Sequence, residues 1–155
     1  SFPTRRSSDL DWAFGDTSPP TASLTFTKVQ DLSSLDHALD QAKGSPVMLD
    51  IYADWCVSCK ELEKYTFSHP DVQRALQHVR LLQVDVTANN AANRALLHHL
   101  NVPGLPAILF FNPQGAEESQ SRVTGFINAG DFMAHLQNQP LSATLQKSEN
   151  GQGEK

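Results

Sequence analysis

The sequence predicts an α/β fold in which helices cover both faces of a mixed central sheet. Strand-length runs of mostly apolar residues alternate along the chain with segments in which the apolar residues have helical spacing. A turn sequence joins the last two predicted strands, so an antiparallel hairpin lies beside strands that need crossover connections. The chain has 155 residues, 39% of them hydrophobic, which is enough for one core of ordinary size.

The first predicted elements are a short edge strand and an amphipathic helix. The apolar residues of segment 24–29 indicate the strand. From Asp31 onward the leucines are spaced along one helical face, and Gly44 is placed to end the helix near Lys43.

The next predicted elements are a buried strand and a helix. Residues 47–53 form a mostly apolar run whose length suits a strand covered on both faces, and Asp50 is the exception within it. Helical spacing returns after Trp55. Its apolar positions are Leu62, Tyr65 and Phe67.

The middle of the chain predicts a helix, a strand and another helix. Ser68 is expected to cap the first of these helices, with Pro70 in its first turn. Residues 81–86 indicate a second buried strand. Asn89 and Asn90 can cap the following helix. The apolar positions of that helix are Ala95, Leu96, Leu97 and Leu100.

The last predicted elements are a strand, a hairpin and a helix. Two prolines and a glycine exclude regular helix from residues 102–106. Ala107–Phe111 is the third strong strand, and the turn residues at 112–115 imply a hairpin into 122–125. A helix is expected at 129–137. Its inward-facing residues are Phe132, Met133 and Leu136.

These elements define one domain at residues 24–138. Residues 1–10 resemble the conceptual translation of a sequencing-library adapter and are expected to be a non-native artefact segment. Residues 11–23 are rich in Pro, Thr, Ser and Gly, which indicates a linker. Residues 139–155 are too polar to offset their ordering entropy and are expected to form a disordered tail.

Charge and hydropathy exclude two classes of function. The formal net charge of -5 provides no basic surface for a phosphate backbone, so nucleic acid is not an expected partner. The longest unbroken aliphatic or aromatic run is Ala107–Phe111, far shorter than the roughly 20 residues of a membrane-crossing helix. The isolated domain is expected to be soluble and monomeric.

Cys56 and Cys59 are the two cysteines of the sequence, and they form a C-x-x-C at the junction between a buried strand and the following helix. Cys56 lies at the helix N-terminus, where free backbone N–H groups and the helix dipole favour a thiolate. Cys59 lies one turn further in and is more shielded. We therefore expect Cys56 to attack a partner disulfide and Cys59 to resolve the mixed disulfide that results.

The sequence leaves two alternative interpretations of this pair. The cysteines could be two packed thiols, or half of a zinc site completed by His69 or by another chain. A four-thiolate site cannot be assembled from this chain alone, and the histidines show no H-x3-H spacing. The strand-to-helix context favours redox chemistry over a metal site. No metal or cofactor is expected.

Residues 55–60 (Trp-Cys-Val-Ser-Cys-Lys) and 104–106 (Gly-Leu-Pro), each beside an apolar strand, resemble the thioredoxin superfamily across about residues 24–136. The longer string 47–67 is similar to the C-terminal periplasmic domain of the DsbD family of thiol:disulfide interchange proteins. The strings 84–89 and 122–126 strengthen that resemblance. The Val-Ser dipeptide between the cysteines differs from the Gly-Pro of ordinary thioredoxins, which argues against a general-purpose thioredoxin.

The resemblance implies a thioredoxin-like fold and assigns roles to further residues. Pro106 matches a cis-proline that faces the disulfide and exposes the backbone of Leu105 to a partner strand. Asp50 matches a buried acid beneath the active site, and Glu63 matches a second acid nearby. The alternatives are a plain strand-initiating proline at 106 and, for Glu63, an exposed helix charge paired with a neighbouring lysine, Lys60 or Lys64.

The two acids have a predictable effect on the thiols. An ionised carboxylate near Cys56 opposes a second negative charge, so Asp50 and Glu63 are expected to raise the thiol pKa. A buried Asp50 can also accept the proton of Cys59 during resolution.

The expected partner-binding residues are Trp55, Leu105, Gly125 and Phe126, although Trp55 and Phe126 could instead belong to the core.

The function implied by the resemblance is a protein-disulfide reductase that relays electrons on the periplasmic side of the bacterial inner membrane. The donor would be a membrane-embedded dithiol domain of the same full-length protein, and the acceptor its N-terminal domain. Periplasmic disulfide isomerases and cytochrome c maturation proteins would be indirect recipients. The alternatives are a free-standing thioredoxin-like reductase, a disulfide-forming oxidant, and a non-catalytic thioredoxin-fold adaptor.

Overall fold

The computed structural model describes residues 24–138. The predicted segments 1–10, 11–23 and 139–155 lie outside the described residues. The strands are β1 (Thr27–Val29), β2 (Val47–Tyr52), β3 (Arg80–Asp85), β4 (Ala107–Phe111) and β5 (Val123–Thr124). The α-helices are α1 (Leu32–Gln41), α2 (Val57–Glu61), α3 (Pro70–Ala75), α4 (Ala91–Leu100) and α5 (Ala129–Asn138). A π-helical turn (Leu62–Thr66) continues α2, and a 3-10 turn (Ser119–Ser121) precedes β5.

The five strands form one mixed sheet in the order β1-β3-β2-β4-β5. β3 pairs in parallel with both β1 and β2, whereas β4 pairs antiparallel with β2 and with β5. The parallel pairs require crossovers, which α1 and the helices between β2 and β3 supply. The predicted α/β fold with a mixed sheet is confirmed.

Helices cover both faces of the sheet, as the sequence predicts. On one face, α1 and α4 contribute Leu35, Leu96 and Leu100 to a core that also contains both cysteines. On the other face, the π-helical turn, α3 and α5 pack against alternate residues of β2 and β4. The buried side chains of this second core include Met48, Leu62, Phe67, Phe110 and Phe132. β2 and β4 lie in the middle of the sheet, which explains why both read as apolar runs.

The helix starts follow from capping chemistry, with one correction. The Asp31 carboxylate accepts from the Ser34 backbone N–H at 2.8 Å, and Asn90 caps α4 in the same way. The predicted cap of α3 at Ser68 is wrong. Pro70 occupies the first helical position, so the cap falls on His69, whose ring accepts from the Asp71 N–H.

Tyr65 departs from the predicted inward-facing set because the helix after α2 widens into a π-turn. The Phe67 N–H donates to the Leu62 carbonyl, five residues back, at 2.8 Å. This wider turn buries Leu62 and Phe67 together, whereas Tyr65 points outward and is exposed. The predicted inward position of Tyr65 assumed a regular α-helix.

The predicted hairpin is present but is wider than its turn residues suggest. The Gly115 N–H closes the turn onto the Asn112 carbonyl, and Phe111 then forms an isolated bridge with Glu117. The 3-10 turn follows before β5 pairs with the start of β4. Within residues 24–138, no helix is both long and apolar enough to cross a membrane.

Candidate active site

The two cysteines lie where β2 gives way to α2. The Cys56 N–H donates to the Ala53 carbonyl at 3.1 Å, which closes the turn between strand and helix. Cys56 is the N-cap of α2, and its Sγ accepts from the Cys59 N–H at 3.1 Å. The two residues are joined by a disulfide across a Cα–Cα distance of 5.3 Å. A single helical turn therefore holds the pair at bonding distance.

The surroundings of the disulfide are asymmetric. Cys56 retains 7% of its surface exposed and Cys59 only 2%, so an incoming sulfur reaches Cys56 first. The exposed large apolar side chains in the described part of the chain include Trp55 (60%), Val57 and Phe126 (43%). Trp55 and Phe126 are therefore surface residues, and their alternative assignment to the core is wrong.

Trp55 is held in place by the loop after β3. Its indole N–H donates to the Thr87 carbonyl at 3.1 Å, and the Thr87 hydroxyl accepts from the Asp54 N–H at 2.8 Å. Asp85 in turn accepts from the Thr87 N–H at 2.9 Å. Thr87 is not among the predicted site residues, although an Asp-x-Thr that begins at the last residue of a buried strand is a recognisable Asx-turn signal.

Pro106 and Gly125 are brought together by the β4–β5 pairing. The Leu105–Pro106 peptide bond is cis, and the Pro106 carbonyl accepts from the Gly125 N–H at 3.0 Å. Gly125 has a φ of +90°, a conformation that favours glycine. Leu105 is half-buried and packs against the core cluster that contains both cysteines. Phe126 extends the same stretch of chain to the surface.

Asp50 is buried in β2, two residues before the strand ends. The Gln83 side chain in the neighbouring strand donates to its carboxylate at 2.8 Å. Burial raises the pKa of Asp50 from 3.8 to about 6, opposed by the Gln83 hydrogen bond. The charge of Glu63 raises the Asp50 pKa further, and the charge of Lys28 lowers it. This carboxyl group can therefore gain and lose a proton near neutral pH.

Glu63 is exposed in the π-helical turn, yet its charge acts on Asp50. It lines a cavity of about 260 Å³ together with Lys28 and Gln83. The two lysines that could pair with it have other contacts. Lys60 donates to the Tyr52 hydroxyl at 3.4 Å, and the Lys64 ammonium lies 5.4 Å from the centre of the Tyr65 ring.

Tyr52 extends the set of polar groups around the site. Its hydroxyl donates to the Asp54 carboxylate, and that hydrogen bond raises the Tyr52 pKa well above the usual range, helped by burial and by the charges of Asp54, Glu63 and Asp85. Tyr52, Gln83 and Lys28 are not among the site residues predicted from the sequence. Gln83 is a polar residue within an apolar strand, the same signal that identified Asp50.

A disulfide-bonded cysteine pair at a helix start, with a buried acid in the preceding strand, defines a thiol–disulfide oxidoreductase. The sequence model of the thioredoxin-like family matches residues 30–113. The chain belongs to this thioredoxin-like family and, within it, to the C-terminal domains of the thiol:disulfide interchange protein DsbD, as the following similarities show.

The DsbD of Klebsiella pneumoniae is 62% identical over 127 residues, covering 81% of this chain and 21% of that protein. The DsbD of Salmonella typhimurium is 63% identical over 127 residues, covering 81% of this chain and 22% of that protein. The oxidised Neisseria meningitidis DsbD C-terminal domain is 36% identical, with a TM-score of 0.55, over 66% of this chain and 86% of that structure. The chain spans about a fifth of the length of the curated relatives that it matches.

Proposed function

We propose that this domain relays electrons by thiol–disulfide exchange between two other parts of a longer membrane protein. A membrane-embedded dithiol domain would reduce the Cys56–Cys59 disulfide, and the resulting dithiol would reduce a disulfide in the N-terminal domain of the same protein. The observation that carries the proposal is the disulfide at the start of α2, with the more exposed Cys56 beside the exposed side chains Trp55 and Val57.

The sulfur chemistry follows from the different surroundings of the two cysteines. In the reduced domain, the Cys56 thiolate attacks a sulfur of the partner disulfide; a Cys56–partner bond forms, and the partner's second sulfur leaves as a thiolate. Cys59 then gives up its proton and attacks Cys56 Sγ. The Cys56–Cys59 bond forms, the Cys56–partner bond breaks, and the electron pair leaves on the partner. Two electrons pass to the partner, and its two thiolates take up protons from Asp50 and from water to give a dithiol.

Asp50 and Glu63 have two roles in this exchange: Asp50 accepts a proton, and both acids act on the charge of Cys56. Asp50 accepts the Cys59 proton when the mixed disulfide is resolved, and a pKa of about 6 suits a group that must later release it near neutral pH. Together the two acids oppose a negative charge on Cys56. The resting thiol is then slow to react until a docked partner changes its surroundings, which suits a relay with few partners.

The remaining roles concern docking and location. Trp55 and Phe126 provide apolar contact area for the partner, and Leu105, Pro106 and Gly125 form the adjoining edge. The relay would operate on the periplasmic side of the bacterial inner membrane. Periplasmic disulfide isomerases and the cytochrome c maturation pathway would receive the electrons indirectly, through the N-terminal domain.

Trapping of the mixed disulfide tests the proposal. The reduced Cys59→Ala variant is mixed with the oxidised N-terminal domain of the Klebsiella pneumoniae relative, and the products are separated without reductant and identified by mass spectrometry. We expect a covalent one-to-one adduct through Cys56 that the Cys56→Ala variant does not form. An adduct yield no higher than that of the Cys56→Ala control would overturn the proposed exchange.

A further inference from the structure

Three polar side chains stand side by side across the edge of the sheet. In the register of the strands, Lys28 of β1 lies beside Gln83 of β3, and Gln83 lies beside Asp50 of β2. Neighbours in register point to the same face of a sheet. The Lys28 ammonium donates to the Gln83 Oε1, and the Gln83 Nε2 donates to the Asp50 Oδ2 at 2.8 Å. A continuous chain of hydrogen bonds thus links an exposed cation to the buried acid.

The donor and acceptor inventory fixes the direction of this chain. An ammonium group can only donate, so the Gln83 amide must turn its oxygen to Lys28 and its NH2 group to Asp50. That orientation serves an ionised carboxylate, which can only accept. Without Lys28 the buried amide could rotate and present its oxygen to a protonated Asp50. The exposed lysine therefore selects which form of the acid the amide stabilises.

The charged and titratable groups around Asp50 act in opposite directions. Glu63 of the π-helical turn raises its pKa, whereas Lys28 of β1 lowers it. Tyr52 lies two residues further along the same face of β2, and on the other side the register neighbour of Asp50 is the apolar Ile108 of β4. Lys28, Gln83 and Glu63 line one cavity of about 260 Å³, so the cation and the anion that act on Asp50 face the same cavity as Gln83.

We propose that Lys28, acting through Gln83, is a positioning residue that keeps Asp50 able to release the proton it receives from Cys59. The inference rests on the proposed function, in which Asp50 accepts that proton as the Cys56–Cys59 bond forms and the partner leaves as a thiolate. With Lys28 in place, the neutral acid returns its proton to the departing thiolate or to water, and the carboxylate is ready for the next exchange.

The test is a carboxyl titration of the isolated disulfide form by carbon NMR, comparing the wild type with Lys28→Met. We expect the Asp50 midpoint to rise by about 0.5 to 1 pH unit in Lys28→Met, because the loss of a nearby cation favours the neutral acid. Lys28→Arg keeps the charge and the donor, so its Asp50 midpoint should stay close to that of the wild type. The matched control is Lys43→Met. Lys43 is exposed, as Lys28 is, but it pairs with Asp40.

A second measurement connects the titration to the exchange reaction. The pH profile for resolution of the mixed disulfide should move upward by the same amount in Lys28→Met and stay in place in Lys43→Met. An Asp50 midpoint that does not move in Lys28→Met, or that moves equally in Lys43→Met, would overturn the inference. Because the carboxyl titration uses no partner, its outcome is independent of whether Cys59→Ala traps a mixed disulfide, so the two proposals can fail separately.

Discussion

Replacing Asp50 by asparagine should change how the stability of the domain depends on pH. The carboxyl group is buried, and its pKa is raised from 3.8 to about 6, first by burial. A group whose pKa is higher in the folded than in the unfolded state makes a contribution to stability that is lost as the pH rises from the unfolded-state pKa through the folded-state pKa. Asp50 is therefore expected to lower the unfolding free energy of the wild-type disulfide form between pH 3.8 and about 6, and this loss persists at higher pH.

The magnitude follows from the size of the shift. A difference of about two pKa units corresponds to about 2 to 3 kcal/mol of unfolding free energy, at about 1.4 kcal/mol per unit. Asp50→Asn cannot ionise, and its side-chain oxygen can still accept from Gln83. The stability of the variant relative to the wild type should therefore increase by about 2 to 3 kcal/mol between about pH 4 and about pH 8.

Urea denaturation of both disulfide forms at several pH values measures this difference. Asp36→Asn is the matched control, because Asp36 is an exposed carboxylate on α1, and it should leave the pH dependence of the wild type unchanged. A free-energy difference between Asp50→Asn and the wild type that stays constant over the whole range would refute the proposed cost of burying the carboxylate.

Three further expectations follow. In the reduced domain, Asp50→Asn combined with Glu63→Gln should lower the Cys56 thiol pKa, measured as the pH dependence of alkylation; an unmoved midpoint would reject the coupling between acids and thiol. Phe132→Ala removes a fully buried ring and should lower the unfolding free energy by about 3 to 5 kcal/mol in urea, whereas a loss below about 1 kcal/mol would contradict its place in the core. Gly125→Ala and Gly44→Ala both place a side chain at positive φ with open space around it, so each should lower the unfolding free energy by about 1 to 2 kcal/mol. Combined with Cys59→Ala, only Gly125→Ala should slow formation of the mixed-disulfide adduct with the N-terminal domain.

The fold was largely predictable because its strongest elements carry strong local signals. β2, β3 and β4 read as apolar runs since they are covered on both faces, and α1 and α4 carry both a capping residue and a helical stripe of leucines. The two errors lie where the chain departs from a regular α-helix and where a helix begins one residue later than expected. The π-helical turn exposes Tyr65, and the cap of α3 shifts to His69 because Pro70 takes the first helical position.

The sequence by itself determined the chemistry of this protein: two cysteines three residues apart at a strand-to-helix junction, with an acid in the preceding strand. That information is local, because one helical turn holds the sulfurs together wherever the helix packs. Only the tertiary structure decided which groups act on Asp50. Lys28 and Gln83 lie far from it in the chain, and they reach it through the register of two parallel strand pairs. Such a register is set by the packing of whole crossover units, which no local pattern of residues records.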